Sequence, residues 1–545
     1  MESKSLCAIF CMSLAAALSL GCEDRPSLPA GGGLSFCASS ELRTPAPWIE
    51  DLNQTSASAA ANMFDRLIEP DPESPHGFRP SLAESWEVSR DGLDYTFHLR
   101  DGVEFHGSRF FVPSRPMDSS DVVFSFEKLL RSDSPYYLND HELLRFPVQS
   151  GMTDLLKSVT APDRSTVVFR LHRPDPSFLR IISSDFAVIV SKEYADFLEG
   201  FGRNPDFFNS HPIGTGPFMF DEFRGGKYLR LRSFSHYWKG GGRGNVRTLV
   251  FDFTDIQWRR MIKLMTNECQ VMNSPAVSDL EFLGKNRNTS VYRREFLNEI
   301  LLAFNTDSSA MHNPFVREAI IRAIDRSAVQ KIISFDEGLA GDDIIPETAS
   351  GHDGKTGQAV YPFSIEHARQ LITASEANLP LELTVWADRT NLNNEYRDSR
   401  LYQILRHELA EIGIKLKIIR MSRSAMRTHR AKGRYDLAII NAQFPLSDPS
   451  DEIRRVFGCA GADDNFSNFC DERTRLDLEK LRAEPDEAER VRISREIGRR
   501  AVEAMSFIPL ARSQDTYVTR KNISGVKKTQ NEGLSFLNTV IGSDD

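Results

Sequence analysis

Apolar residues recur with two different periods along the chain, and each change of period marks an element. Between Glu84 and Arg100 (ESWEVSRDGLDYTFHLR) two alternating runs flank Arg90-Asp91-Gly92, the pattern of a β-hairpin closed by a glycine turn. The period then becomes helical. Asp118-Ser119-Ser120-Asp121 predicts a capped helix through Leu130, with Asp121 at the capping-box position and Val122, Phe126 and Leu129 on one face. Asn313-Pro314 opens another helix, whose core face is Val316, Ala319, Ile320, Ala323 and Ile324. Leu383–Trp386 and Leu416–Ile419 read as strands flanking a helix over Ser399–Ile412, and Leu437–Ile440 as a third strand. That βαβ order predicts a parallel sheet with helices on its faces. A final long helix over Pro485–Met505 leads into Phe507-Ile508-Pro509-Leu510. Strands interleaved with helices, without repeats, make the class α/β.

The 545 residues leave room for two to four domains at the usual ~100–200 residues each. A composition of 40% hydrophobic and 26% charged residues excludes long disorder, collagen and coiled coil, and the net charge of −9 argues against nucleic acid as a partner. One stretch bears on membranes: Leu6 to Gly21, sixteen uncharged residues, too short for the ~20 a spanning helix needs. Its short lysine-bearing head and the small residues Leu18-Ser19-Leu20-Gly21 before Cys22 make residues 1–22 an export signal. The same ending is similar to the bacterial lipobox, which would make Cys22 a lipidated anchor; the plain alternatives are a cleaved signal peptide or an uncleaved anchor. Residues 23–33, rich in Pro and Gly, read as a flexible tether. Of seven Cys, three belong to the signal region, leaving Cys37, Cys269, Cys459 and Cys470, an even number suited to disulfides in an oxidising compartment. Three pairings are open, and the simplest joins Cys459 to Cys470 and Cys37 to Cys269. A metal site is not signalled, since no C-x-x-C or paired His lies beside them.

Catalytic signatures are missing. There is no H-E-x-x-H, no G-x-S-x-G and no strand-embedded G-x-G-x-x-G. Ala349 to Thr356 (ASGHDGKT) fits a relaxed phosphate-loop pattern, but Pro346 before it and Gly357 and Pro362 after it leave no helix N-terminus aimed at the loop, so it reads as a surface loop. Asp448 to Glu452 could supply an acid/base pair or, more simply, a helix cap. The basic run Arg420 to Arg434 (RMSRSAMRTHRAKGR) suits either an acidic partner or lipid headgroup, or a solvated helix face.

Leu82 to Val88 (LAESWEV), Asp91-Gly92 with Tyr95 to Arg100, and Gly102 to His106 together resemble the signature of family 5 extracellular solute-binding proteins, the dipeptide and oligopeptide receptors of ABC importers. Further blocks follow in order: Asp121 to Phe126, Pro212 to Phe218 (PIGTGPF), Asn267 to Met272, Ala303 to Thr306, Val316-Arg317 with Ala323 to Arg326, and Ile508 to Leu510. The Cys placement looks like the dipeptide-receptor and Sap peptide-resistance branches, whose disulfides would correspond to Cys37 with Cys269 and Cys459 with Cys470. The resemblance implies a bilobal, periplasmic-binding-protein-like clam-shell of the cluster C type with an additional small α+β domain. By analogy lobe I takes residues 34–62, 209–300 and 517–545, the small domain 63–208, and lobe II 301–516. It implies a periplasmic monomer, lipid-anchored if the Cys22 ending is a lipobox, that captures a peptide or peptide-like solute and hands it to an ABC permease, with no catalytic residue, metal or cofactor and no nucleic-acid partner.

Dipeptide receptors hold the ligand ammonium with an Asp upstream of an Asp-Pro-Asp-like turn, and the carboxylate with an Arg shortly after a Trp-Ala strand. Here the turn reads Asp448-Pro449-Ser450-Asp451, and the slot three residues before Asp448 holds Pro445, within Gln443-Phe444-Pro445-Leu446. After Trp386-Ala387 the Arg slot falls near Leu392, and Arg389 is the nearest Arg. The ligand-binding set implied is therefore Asp448, Arg389, Trp386 and Phe444. Two alternatives stand beside it: Asp448 caps a helix while Arg389 faces solvent, or the ligand lacks the two free ends of a dipeptide and is instead a polyamine, haem or cationic peptide. A secreted hydrolase using a carboxylate pair is the competing function.

Overall fold

The computed structural model describes residues 32–543 apart from 50–52, 72–73, 75–76, 129, 131–134, 137–151, 203–204, 241–243, 335–343, 347–351, 353–359, 389–394, 431, 445–447, 460–463 and 530–532. Ten strands form one sheet in the order Ile414–Met421, Leu381–Asp388, Leu437–Gln443, Thr289–Phe304, Phe507–Arg520, Val271–Asn273, Gly33–Ala38, Thr248–Phe253, Tyr228–Ser233 and Phe218–Arg224. The first three are mutually parallel, as the βαβ spacing predicts, and helices Glu395–Ala410 and Arg423–Arg430 make the crossovers. Two long antiparallel strands, Thr289–Phe304 and Phe507–Arg520, run from one half of the sheet into the other. Their register slips twice, between Arg294 and Asn298 and between Ile300 and Leu301. Bulges of this kind break ladder bonds and let a strand bend, so the crossing is where the sheet is easiest to flex.

Separate cores lie on the two sides of that crossing. Phe36, Phe64, Phe97, Phe169, Phe251 and Phe536 belong to one, which also contains the inward face of a four-stranded antiparallel layer, Ala83–Val88, Asp94–Leu99, Thr166–Leu171 and Leu156–Asp163 in the order first, second, third, fourth. Beyond the crossing, alternate residues of one strand feed two other cores: Ile300, Leu302 and Phe304 pack with Leu383 and Val385, while Leu301 and Ala303 pack with Trp386 and Ile440. Period-two alternation in a strand covered on both faces produces this split. The molecule is a bilobal clam-shell.

The local elements follow their signals. The first hairpin turns at Gly92, whose φ of +67° is the left-handed conformation that favours glycine. Asp118 caps helix Ser119–Glu127 by accepting from the Ser120 amide at 2.9 Å, and Asp121 accepts from the Asp118 amide at 2.9 Å, completing the capping box. Asn313 accepts from the Phe315 amide at 3.0 Å, and Val316, Ala319, Ile320, Ala323 and Ile324 are all buried. The last long helix spans Glu487–Glu503 and the closing strand begins at Phe507. Two disulfides join Cys37 to Cys269, with Cα atoms 5.8 Å apart, and Cys459 to Cys470, 5.3 Å apart. The export signal with Cys22 and most of the 349–356 loop lie outside the described residues. Among the described residues no helix is long and apolar enough to cross a membrane.

Candidate functional site

In an open parallel sheet the carboxyl ends of the strands are the natural place for a ligand, because loops diverge there and leave a crevice. The parallel strands Leu381–Asp388, Ile414–Met421 and Leu437–Gln443 all end where the long strands cross toward the other lobe, with Asn298 paired to Gln443. Acidic and basic side chains line that edge. Asp388, 2% exposed, accepts from Arg423 Nε at 2.9 Å. Arg423 also donates to the Asn441 carbonyl at 2.6 Å and lies 3.3 Å from Asp464. Asp464 is fully buried and accepts from Arg427 Nε and a second Arg427 nitrogen at 2.6 and 2.7 Å, as well as from Arg455. Arg455 in turn pairs with Glu452. On the crossing strands Glu299, also fully buried, accepts from Arg512 Nε at 2.9 Å, while the Arg512 amide and carbonyl are bracketed by the Gln330 side chain at 2.7 and 3.2 Å.

Among the described residues these four arginines face four carboxylates. Burial pushes the Arg455 guanidinium down, and Glu452 opposes that shift. Buried charges of this kind are tolerable only when each is paired and hydrogen-bonded, which the arrangement supplies. The basic run of the sequence is thereby divided: Arg423 and Arg427 turn inward onto Asp388 and Asp464 rather than forming a solvated face.

The residues singled out from the resemblance occupy different environments. Trp386 stacks on Tyr435, ring centroids 4.3 Å apart, and shares a core with Phe444; both are almost fully buried in this conformation. Asp448 is buried too, with one oxygen accepting from Arg490 Nε at 2.7 Å and lying 4.0 Å from Arg180. Its other oxygen accepts from the Ser450 amide at 2.9 Å, just before helix Ser450–Phe457, whose N-cap position is Pro449. Burial alone would raise its carboxyl; Arg180, Arg490 and the Ser450 amide outweigh that and hold it below the usual carboxylate range. Arg389 lies outside the described residues. No acid/base pair emerges from Asp448 to Glu452, because Asp451 is engaged by Arg180 and Arg454, and Glu452 by Arg455. Sequence reasoning passed over Asp388, Asp464, Glu299 and Arg512. A signal existed for some: Asp388 directly follows Trp386-Ala387 at a strand's carboxyl end, and Arg423 and Arg427 stand one helical turn apart. Among the described residues the grouping with metal-ligand proximity is Cys37, Asp252 and Cys269, and its two sulfurs are joined in a disulfide.

Residues 77–464 match the model of bacterial extracellular solute-binding proteins, family 5. The chain belongs to this family. Among family 5 relatives, the dipeptide-binding protein of Escherichia coli K12 is 28% identical over 462 residues, covering 84% of this chain and 85% of its own. The E. coli K12 protein described as a probable ABC transporter periplasmic-binding protein, SapA, is 28% identical over 506 residues, 92% of this chain and 91% of that one. The crystal structure of a dipeptide-binding protein from Pseudoalteromonas sp. SM9913 in complex with Met-Leu superposes with a TM-score of 0.81 at 26% identity, covering 93% of this chain and all of that one. Family 5 members are binding proteins, and this one is not an enzyme.

Proposed function

We propose that this chain is the peptide-capturing receptor of an ABC importer, closing its two lobes around a short peptide and presenting the shut form to the permease. The observation that carries this is the sheet itself. Its three parallel strands share one carboxyl edge, where an open sheet takes its ligand, and two bulged strands are the covalent route between the halves. Relatives named for dipeptides and the superposable Met-Leu complex supply the ligand class. An extended peptide suits such a crevice because its backbone offers regular donors and acceptors, while side chains enter water-filled space.

In this reading residues 34–62, 209–300 and 517–545 form lobe I, 63–208 the small domain and 301–516 lobe II. Trp386 and Phe444 form the packed floor beneath the crevice, Arg389 takes the peptide carboxylate, and Asp448 keeps its structural pairing. The receptor works as a monomer in the periplasm, tethered through lipidated Cys22. The test is calorimetry and thermal melting with Met-Leu and with Ser-Thr-Ser-Ala, with mass spectrometry of the mixture afterwards. Stoichiometric binding, a raised Tm and intact peptide are expected; a ligand at 100-fold its Kd stabilises by about 2.7 kcal/mol. Absence of binding to both, or peptide cleavage, overturns it.

A further inference from the structure

Where the four-stranded layer of the first lobe meets the second lobe, opposite charges face each other across the boundary. Helix Phe178–Ile182 presents Arg180, whose Nε lies 2.9 Å from Asp451 Oδ2, an ion contact too steeply angled for a hydrogen bond, and whose terminal nitrogen lies 4.0 Å from Asp448. Three residues before that helix, buried Asp175 has one oxygen 3.6 Å from an Arg454 nitrogen. Arg454 and Asp451 also pair with each other along helix Ser450–Phe457, so the two cross-boundary contacts are tied into one network.

Asp175 and Asp448 are also bonded within their own side of the boundary. The second Asp175 oxygen accepts from the Ser177 amide at 3.1 Å and hydroxyl at 2.6 Å, and its carbonyl receives the Tyr95 hydroxyl at 3.3 Å. On the opposite side Asp448 is fixed by Ser450 and Arg490, and Arg490 by the carbonyls of Glu484 and Pro485 at 3.1 and 2.7 Å. Arg173 and Arg482 face the same network and add positive charge; burial, then Arg454 and Arg173, push the Arg482 guanidinium down. Groups already oriented lose little side-chain freedom when they meet, so more of their attraction survives as a preference for the shut form.

We propose that this seam is a closure latch: Arg180 with Asp451 and Asp175 with Arg454 are made only when the lobes are shut, and they bias the ligand-free receptor toward the shut state. The inference rests on the two-lobe closure described above and extends it to the four-stranded layer, which becomes part of the closing mechanism. A ligand shifts a two-state equilibrium only by its differential affinity, so a latch sets how much of its binding free energy closure consumes. Two half-buried pairs of this kind shift the open–shut ratio by roughly threefold to tenfold. Salt near 1 M, with a Debye length of about 3 Å, screens most of that.

The test is small-angle scattering of the ligand-free full chain at low salt and near 1 M, for the wild type, Arg180→Gln, Asp451→Asn and the double variant. Arg180→Lys is the charge-keeping control. Arg180→Gln and Asp451→Asn are each expected to enlarge the radius of gyration at low salt, the double variant no further than the larger single, and salt to bring the wild type to the same value. Arg180→Lys keeps the wild-type curve, which separates charge from packing. The affinity for Met-Leu falls by the same threefold to tenfold in Arg180→Gln. Wild-type scattering in both singles, or effects that simply add in the double, overturns the latch. The scattering arm needs no ligand. If wild-type protein ignores Met-Leu yet opens with salt, the latch stands and the peptide reading falls.

Discussion

Asp65 and Asp464 are both buried carboxylates, and their surroundings are opposites. Asp65 sits in the first lobe and accepts from neutral donors, the Thr215 and Tyr237 hydroxyls at 2.9 and 3.0 Å and the Trp238 indole at 2.9 Å, with Lys239 no nearer than 3.8 Å. Burial therefore wins and raises its pKa. Asp464 sits in the second lobe, ringed by the guanidiniums of Arg423, Arg427 and Arg455. The first arrangement stitches a static scaffold together. Asp464 and its arginines instead form a buried, hydrogen-bonded charge cluster, in which low local dielectric strengthens each pairing.

Breaking the scaffold outright is expected to have the largest effect. A Cβ on Gly214 would lie 2.2 Å from the Met63 carbonyl oxygen, a backbone atom that cannot rotate away. Gly214→Ala is therefore expected to cost about 3 kcal/mol or more, read as a lowered urea midpoint. Asp464→Asn comes next, since it leaves three guanidiniums short of a buried counter-charge: about 3 kcal/mol in the same assay, falling at high salt. Asp65→Asn keeps an acceptor for neutral donors and is expected to cost only about 1–2 kcal/mol, with little salt dependence. Equal losses and equal salt dependence at 464 and 65 would erase the distinction drawn between them.

The smallest effect tests the second lobe away from its rim. Burial, aided by Asp325, raises Glu408 to about 7 although the Asp325 amide bonds it. Because the folded pKa exceeds the unfolded one, the associated stability is present below about pH 4.5 and is lost as pH rises through about 7. Glu408→Gln is expected to stabilise the protein by about 1 kcal/mol at pH 8, after allowing for solvent screening at this half-buried site, and by nothing near pH 4. A flat difference between those pH values would remove that assignment.

Two of the blocks that carried the family resemblance pack against one another as scaffold. In Pro212 to Phe218, Gly214 and Gly216 let the chain lie against Met63 and Phe64, Thr215 bonds Asp65, and His106 of another block holds the Gly216 carbonyl at 2.8 Å. The family was therefore readable while its specificity was not, since the motifs record how the lobes are built. Asp448 shows the difficulty: its neighbourhood in sequence suggested a ligand ammonium, whereas its actual partners, Arg490 and Arg180, lie 42 and 268 residues away along the chain.

Element type, caps, turn glycines and the parallel order of the second lobe were legible in the chain, because each depends on residues within a turn or two of one another. Hairpin closure at Gly92 and the Asn313 cap need nothing distant. Which charges meet was a matter for the folded molecule. Glu299 with Arg512, Arg423 with Asp464 and Arg180 with Asp451 are long-range pairs, and burial decides which of many surface-compatible carboxylates and guanidiniums must find a partner. Periodicity encodes the face a residue points to, but only packing encodes what waits there.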